Sequence, residues 1–264
     1  MTRTELSKVR ERVRADEFDR WKSLVSQGIG VDQFRDDPVG NKWLQKPDLL
    51  QPSRFLQALK FRTNTAPNKG TLARARMVED VSCRRCTRGG LQGQPETLPH
   101  ILGQCPFTKD EWVNRHNDIV RLLDGSLRKA GKTVVMEEPI QTQTGVLKPD
   151  LVVHDQRRGH VSIVDVAVRF ENYLEAAGNE KVQKYTPLVP LLTTRFGAQK
   201  VEVVPICIGA RGAMPKSTRA SLKALGISGQ DQLTLALSVL RSSLEMFAFF
   251  MDGYRRRRRR VVTR

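Results

Sequence analysis

An aspartate sits inside the most strand-like run of this chain. Val161-Ser-Ile-Val-Asp-Val-Ala-Val168 sets Asp165 among β-branched residues, and a charge so flanked is costly to bury without a partner or a metal. A second apolar run, Asp150-Leu-Val-Val153, follows Lys148 and Pro149. Fourteen residues separate Asp150 from Asp165, enough for one strand, a polar turn from Asp155 to His160 and half of a second strand. A β-hairpin would bring both carboxylates to neighbouring positions. Two such carboxylates form a hard-oxygen site suited to Mg²⁺. The segment Glu180-Lys-Val-Gln-Lys-Tyr185 follows, and acids on a hairpin with a lysine after them are the parts needed to cut a phosphodiester bond. The plainer alternative, two surface turn aspartates, is opposed by the apolar flanks of Asp165.

The rest of the chain reads as a mixed α/β fold. Strands are expected at 133–137, 148–154, 161–168 and 201–208, and helices at about 172–185, 187–196, 217–225 and 230–250. Near-continuous apolar strands imply a sheet covered on both faces. A helix over 108–130 leads into it. Upstream, residues 4–27 read as an amphipathic helix through Leu6, Val9, Val13, Trp21, Leu24 and Val25. Two more helices, near Ser53 to Phe61 and over 71–80, flank a basic stretch from Arg62 to Lys69. No apolar run approaches the roughly 18 residues of a membrane span, so no membrane partner is expected.

The net charge of +17 points to a polyanion, most simply nucleic acid. Arg255 to Arg260 is an unbroken run of six. An anion-holding tail and a nuclear address are both open readings of it.

Four cysteines are poor material for a disulfide framework and suit a reducing compartment. Three of them form a pattern with a histidine: Cys83-x₂-Cys86 and His100-x₄-Cys105, thirteen residues apart. Two close pairs of soft or borderline ligands can surround Zn²⁺ tetrahedrally. The intervening segment has few apolar residues, so a metal would stand in for a core. Arg84, Arg85 and Arg88 beside it fit contact with phosphate. Three core cysteines with a surface histidine is the alternative. Spacing does not say whether the element is only structural or also touches nucleic acid. Cys207, alone in a strand pattern, reads as a small core residue.

In the simplest metal nucleases a lysine lies two residues after the second acid, and here that position is Ala167. Lys181 and Lys184, at helical spacing i and i+3 on the next helix, can replace it, either of them returning an ammonium to the hairpin. Both being solvated helix charges is the competing reading. Arg115-His116-Asn117 on the preceding helix can bind DNA phosphates or line the site, or form an exposed polar face.

These residues resemble the C-terminal region of the polyprotein of site-specific non-LTR retrotransposons of the ribosomal-DNA-inserting type. Asn41-Lys-Trp-Leu44 and Phe55-Leu-Gln-Ala-Leu-Lys-Phe-Arg-Thr-Asn64 resemble the segment after the polymerase domain. Cys83, Cys86, His100 and Cys105, with Glu96-Thr-Leu-Pro-His-Ile-Leu-Gly-Gln-Cys105, resemble the CCHC element, and Arg115-His-Asn117 the basic-His motif. Lys148-Pro-Asp150, Asp165 and Glu180-Lys-Val-Gln-Lys-Tyr185 resemble the endonuclease signature. The resemblance implies a helical basic linker (1–80), a zinc element (81–107), a restriction-endonuclease-like domain of the PD-(D/E)XK type (108–252) and a basic tail (253–264). It implies Mg²⁺ on Asp150 and Asp165, Lys181 as the catalytic lysine with Lys184 and Tyr185 adjacent, and Zn²⁺ on the CCHC residues. Target DNA, element RNA and a nuclear location follow from the same likeness. Paired polymerase aspartates are not found, so the chain is expected to begin beyond the fingers and palm, with the reverse transcriptase supplied upstream. A catalytically decayed nucleic-acid-binding fragment is the alternative.

Overall fold

The computed structural model describes residues 2–88 and 93–252. The side chain of Arg88 and the run Arg255 to Arg260 lie outside the described residues. The fold is a mixed α/β sheet with helices on both faces, as the sequence implies.

The centre of that sheet is a four-stranded layer. Its strands are β1 (Thr133–Met136), β4 (Leu151–Asp155), β5 (His160–Arg169) and β6 (Lys200–Gly209), in the order β1-β4-β5-β6. A small separate hairpin, β2 (Ile140–Thr142) with β3 (Gly145–Leu147), precedes β4 and is too short to leave a pattern in the sequence. β4 and β5 form the expected antiparallel hairpin, Leu151 opposite Val164 and Asp155 opposite His160. β5 and β6 run parallel, from His160 against Lys200 to Arg169 against Gly209. A parallel neighbour requires a long crossover, and α8 (Leu174–Tyr185) and α9 (Leu188–Phe196) provide it. Pro205 is tolerated in β6 because that strand lies at the sheet edge.

β5 is buried from Val161 to Val168, and its alternate side chains serve two cores. Val164, Val166 and Val168 join the larger core with α7 (Lys109–Lys129) and α11 (Gly229–Asp252). Val161 and Ile163 pack with Tyr185, Leu188 and Leu192 of α8 and α9. Acidic residues in the first turn of α7 and basic ones in its last complement the helix dipole. α10 (Lys216–Ala224) packs on β6. By length and composition α11 could cross a membrane. Its apolar residues are instead engaged inside the fold, against α7, α3 (Pro52–Arg62) and α6 (Leu98–Gly103).

The upstream region departs from the sequence reading in three ways. α1 (Arg3–Lys22) ends five residues before position 27 and buries none of its residues, leaving Val9 and Val13 half exposed. Its charges dominate its composition, and it is held at its start by a capping box between Thr2 and Glu5. The helix expected over 71–80 is only α4 (Lys69–Arg74). Two further short helices are α2 (Lys42–Gln45) and α5 (Arg84–Arg88). Arg62 is buried rather than part of a loose basic linker, its guanidinium bonded to Gly40 O and Asn41 Oδ1.

A buried ion pair ties this upstream region to the sheet. Arg211, just past β6, meets Glu171, just past β5, at 2.6 Å, with both side chains fully buried. Arg211 also donates to the carbonyls of Ile29, Phe61 and Arg62. Gly30 adopts φ +70°, and a Cβ there would stand 2.6 Å from the Cβ of Glu171, so the approach requires glycine. Removing one partner of such a pair leaves an uncompensated charge. Glu171→Ala is expected to lower stability by about 3–5 kcal/mol, read from urea unfolding; a loss below about 1 kcal/mol would show that the pair does not hold the two regions together.

Candidate active site and metal centre

The end of β4 shapes the first site. Its last pair with β5 is Leu151 opposite Val164, so β5 runs on from Asp165 to Arg169 with one edge no longer covered by β4. Asp150 closes the start of that gap, its Oδ2 accepting from Val166 N at 2.7 Å. Its other oxygen, Oδ1, lies 3.1 Å from His116 Nε2 on α7. Asp165 is 2 % exposed. Lys181, from α8, brings its ammonium to 2.6 Å from Asp165 Oδ2. That contact is an ion pair without the angles of a hydrogen bond, so Oδ2 has no aligned donor.

Small residues let Lys181 arrive. Ala167, Ala177 and Cys207 pack together between β5, α8 and β6, and a Cβ at Gly178 would lie 3.7 Å from Cys207 Sγ. α8 therefore runs close to the sheet, and Lys181, one turn beyond Ala177, reaches back to Asp165. Burial pushes the Cys207 thiol up to about 11, consistent with a small core residue. Lys184 goes elsewhere. It is exposed and bonds the Tyr185 hydroxyl at 2.9 Å.

A cavity of about 230 Å³ lies along the open edge of β5. Trp112, Val113 and His116 of α7 form one wall, and Lys181 and the β5 segment from Val166 to Arg169 form the other. The hairpin, α7 and α8 thus converge on one cleft.

Four more residues singled out in the sequence make contacts inside the fold. Arg115 is 2 % exposed, donating to Leu102 O and Ser243 Oγ, and burial lowers its pKa to about 10. Tyr185 is buried and donates to Lys148 O, fastening α8 to the segment before Asp150; its burial and the neighbouring Asp165 raise its pKa far above the ordinary phenol value. Arg84 binds the fully buried Glu96 through Nε and Nη2. Burial acts to raise the Glu96 carboxyl, but bonds from Arg84 and Lys69 N outweigh it and hold it below its usual value. Arg85 donates to Phe250 O and Met251 O at the end of α11 and lies over the Phe107 ring. These guanidiniums each satisfy internal acceptors.

The second site is the cysteine–histidine cluster. Cys83, Cys86, His100 and Cys105 are all buried, and their ligand atoms lie within 4.8 Å of one another. Cys105 Sγ is 3.9 Å from Cys83 Sγ and 3.8 Å from Cys86 Sγ, and Cys86 Sγ is 3.4 Å from His100 Nε2. A tetrahedral zinc with ordinary bond lengths requires edges of roughly 3.8 Å between sulfurs and roughly 3.6 Å from sulfur to nitrogen. The four residues could therefore hold a zinc ion with little adjustment. Burial pushes Cys105 up to about 12, raises Cys86 and depresses His100. The pocket resists thiolates until a cation offsets the cost. Among the described residues this is the single group of three or more His, Cys, Asp or Glu side chains near enough to share an ion.

No family model matches the chain. Over 243 residues, 88 % of its length, it is 30 % identical to the retrovirus-related Pol polyprotein from type-1 retrotransposable element R2 of Popillia japonica. It is 28 % identical over 215 residues to that from the type-2 element R2DM of Drosophila melanogaster, and 26 % identical over 260 residues to that of Nasonia vitripennis. This chain is a homologue of the R2 Pol polyproteins. It spans 33 %, 20 % and 25 % of the length of these three relatives. The R2 likeness agrees with the retrotransposon resemblance of its motifs.

The role of His116 beside Asp150 was open in the sequence, because the two are 34 positions apart. Arg115, its neighbour, has the opposite fate. Arg115→Ala in this R2 homologue is expected to cost about 2–4 kcal/mol in urea unfolding, since buried acceptors lose a charged donor. An unchanged midpoint with weakened DNA binding would return Arg115 to the surface.

Proposed function

We propose that this R2-like chain is the DNA-cutting part of a retrotransposon Pol polyprotein. It nicks target DNA by Mg²⁺-dependent phosphodiester hydrolysis, leaving a 3′-hydroxyl from which the polymerase supplied by the rest of the polyprotein copies element RNA. One observation carries the reading: Lys181 reaches the buried Asp165 beside a cleft whose edge is closed by Asp150. Target DNA and element RNA are its partners, which the charge of +17 favours, and its place of work is the nucleus.

The donor set fits a hard divalent cation. Asp165 Oδ2 is buried without an aligned donor, and Asp150 keeps lone pairs beyond its two contacts. Asp150 and Asp165 would hold Mg²⁺, which when bound polarises the scissile phosphate and lowers the pKa of an attacking water. The protein's own groups do the positioning. Val166 N and His116 grip the two oxygens of Asp150 and fix its carboxylate plane. Lys181 stands on the Asp165 side of the cleft, where its ammonium can orient the water or stabilise charge developing on the phosphate. Lys184 supports this indirectly, through the hydroxyl of Tyr185.

Cys83, Cys86, His100 and Cys105 would hold a structural Zn²⁺. Its role is to order residues between α5 and α6 that have little apolar surface to bury. The cluster shares the core of α7, so metal there also steadies the wall that carries His116.

Nicking of supercoiled plasmid in Mg²⁺ tests the reading. The wild type is expected to cut, Asp165→Ala to fall below detection, and Lys181→Ala to lose about 10²–10³-fold. Wild-type protein that binds DNA but never cuts would leave a decayed binding fragment. Elemental analysis is expected to find about one zinc per chain, lost with folding cooperativity in Cys105→Ser. Folded, metal-free wild type would remove the zinc assignment.

A further inference from the structure

Side chains two apart on a strand share a face, so Asp165, Ala167 and Arg169 line one side of β5. Asp165 meets Lys181, and Ala167 is packed under α8. Arg169 is the exposed end of the row and lines the same cavity as Lys181 and His116. Its backbone is fixed, paired with Gly209 of β6 and accepting from Ala210 N at 2.7 Å.

What distinguishes Arg169 is its lack of a counter-charge. Among the described residues its side chain makes no ion pair or hydrogen bond. The nearest acid along the chain, Glu171, is fully buried with Arg211 and bonded to it through both oxygens. The other arginine lining this cavity, Arg115, is engaged with Leu102 O and Ser243. A guanidinium on a rigid strand, without an internal acceptor among the described residues, in a cleft whose lining residues His116, Val166 and Lys181 contact Asp150 and Asp165, suits one ligand class. That class is the phosphate oxygens of a nucleic-acid backbone, which it can grip by two parallel bonds.

We propose that Arg169 anchors a backbone phosphate of the DNA strand next to the one presented to Asp150, Asp165 and Lys181. The proposal rests on the endonuclease reading and adds a binding residue to it. Arg169 thereby sets the strand's register along the open edge of β5, and offsets the repulsion that the two carboxylates exert on the incoming backbone.

The full-length chain, titrated without added Mg²⁺ against a short fluorescein-labelled DNA duplex, tests this directly. Arg169→Ala is expected to weaken binding roughly tenfold and to reduce the slope of log affinity against log salt by about one. Arg169→Lys keeps the charge and is expected to restore the slope while recovering only part of the affinity. Arg157→Ala, at the turn at the other end of the β4–β5 hairpin, controls for net charge and is expected to stay near wild type. Equal weakening by Arg157→Ala, or wild-type affinity and slope for Arg169→Ala, would overturn the proposal. Plasmid nicking by the wild type, run in parallel, reports separately on the endonuclease reading. Loss of binding in Arg169→Ala with no cutting by any protein would overturn that reading while keeping Arg169 as a phosphate contact.

Discussion

A carboxylate buried in a central strand is the constraint around which this molecule is arranged. Asp165 is flanked on β5 by residues that drive the strand into the interior, and its charge must be compensated there. The compensation comes from Lys181, and for it to arrive the helix bearing it must run close to the sheet. Ala167, Ala177 and Gly178 supply the room. The same strand outlasts its antiparallel neighbour, so the segment after Asp165 borders a cleft instead of another strand. Burial, charge compensation and an open edge are thus consequences of where one aspartate sits.

The regions on either side of the sheet are not loosely attached. One continuous apolar core runs from Trp43 and Phe61 upstream, through the cysteine–histidine cluster, to α7, α11 and the inner face of β5. Polar interactions at its margins are buried and directional. Arg211 gathers three upstream carbonyls while paired with Glu171. Asp37 accepts from Met214 N, although burial raises its carboxyl above the usual range. Glu96 organises the segment between α4 and α6. A wall of the cleft is therefore braced by the cysteine–histidine cluster and the upstream helices together.

The distribution of cations follows from the same accounting of acceptors. A chain with this excess of lysine and arginine would be expected to spread charge over its surface, yet Arg62, Arg115 and Arg211 are buried. Helix ends and irregular turns present carbonyls without partners, and a guanidinium with five donors satisfies several at once. Arg169, exposed in the cleft, has no such acceptor among the described residues.

Periodicity and composition alone determined the mixed α/β architecture, the hairpin carrying Asp150 and Asp165, and the four-ligand pattern of Cys83, Cys86, His100 and Cys105. Each of these is local: a strand is written in alternating or continuous apolar residues, and paired metal ligands in short spacings. Only the tertiary structure decided that Lys181 and not Lys184 meets Asp165, that His116 holds Asp150, and that Arg84, Arg85, Arg115 and Tyr185 bond to groups inside the fold while Arg169, among the described residues, does not. The apolar residues of α1 likewise look able to bury themselves in sequence, and do not, because no core reaches them. A charged or aromatic side chain reads the same in sequence whether its partner is a carbonyl across the fold or a phosphate outside it. Which acceptor it finds depends on contacts between residues far apart in the chain, and those exist only once the sheet and its helices have packed.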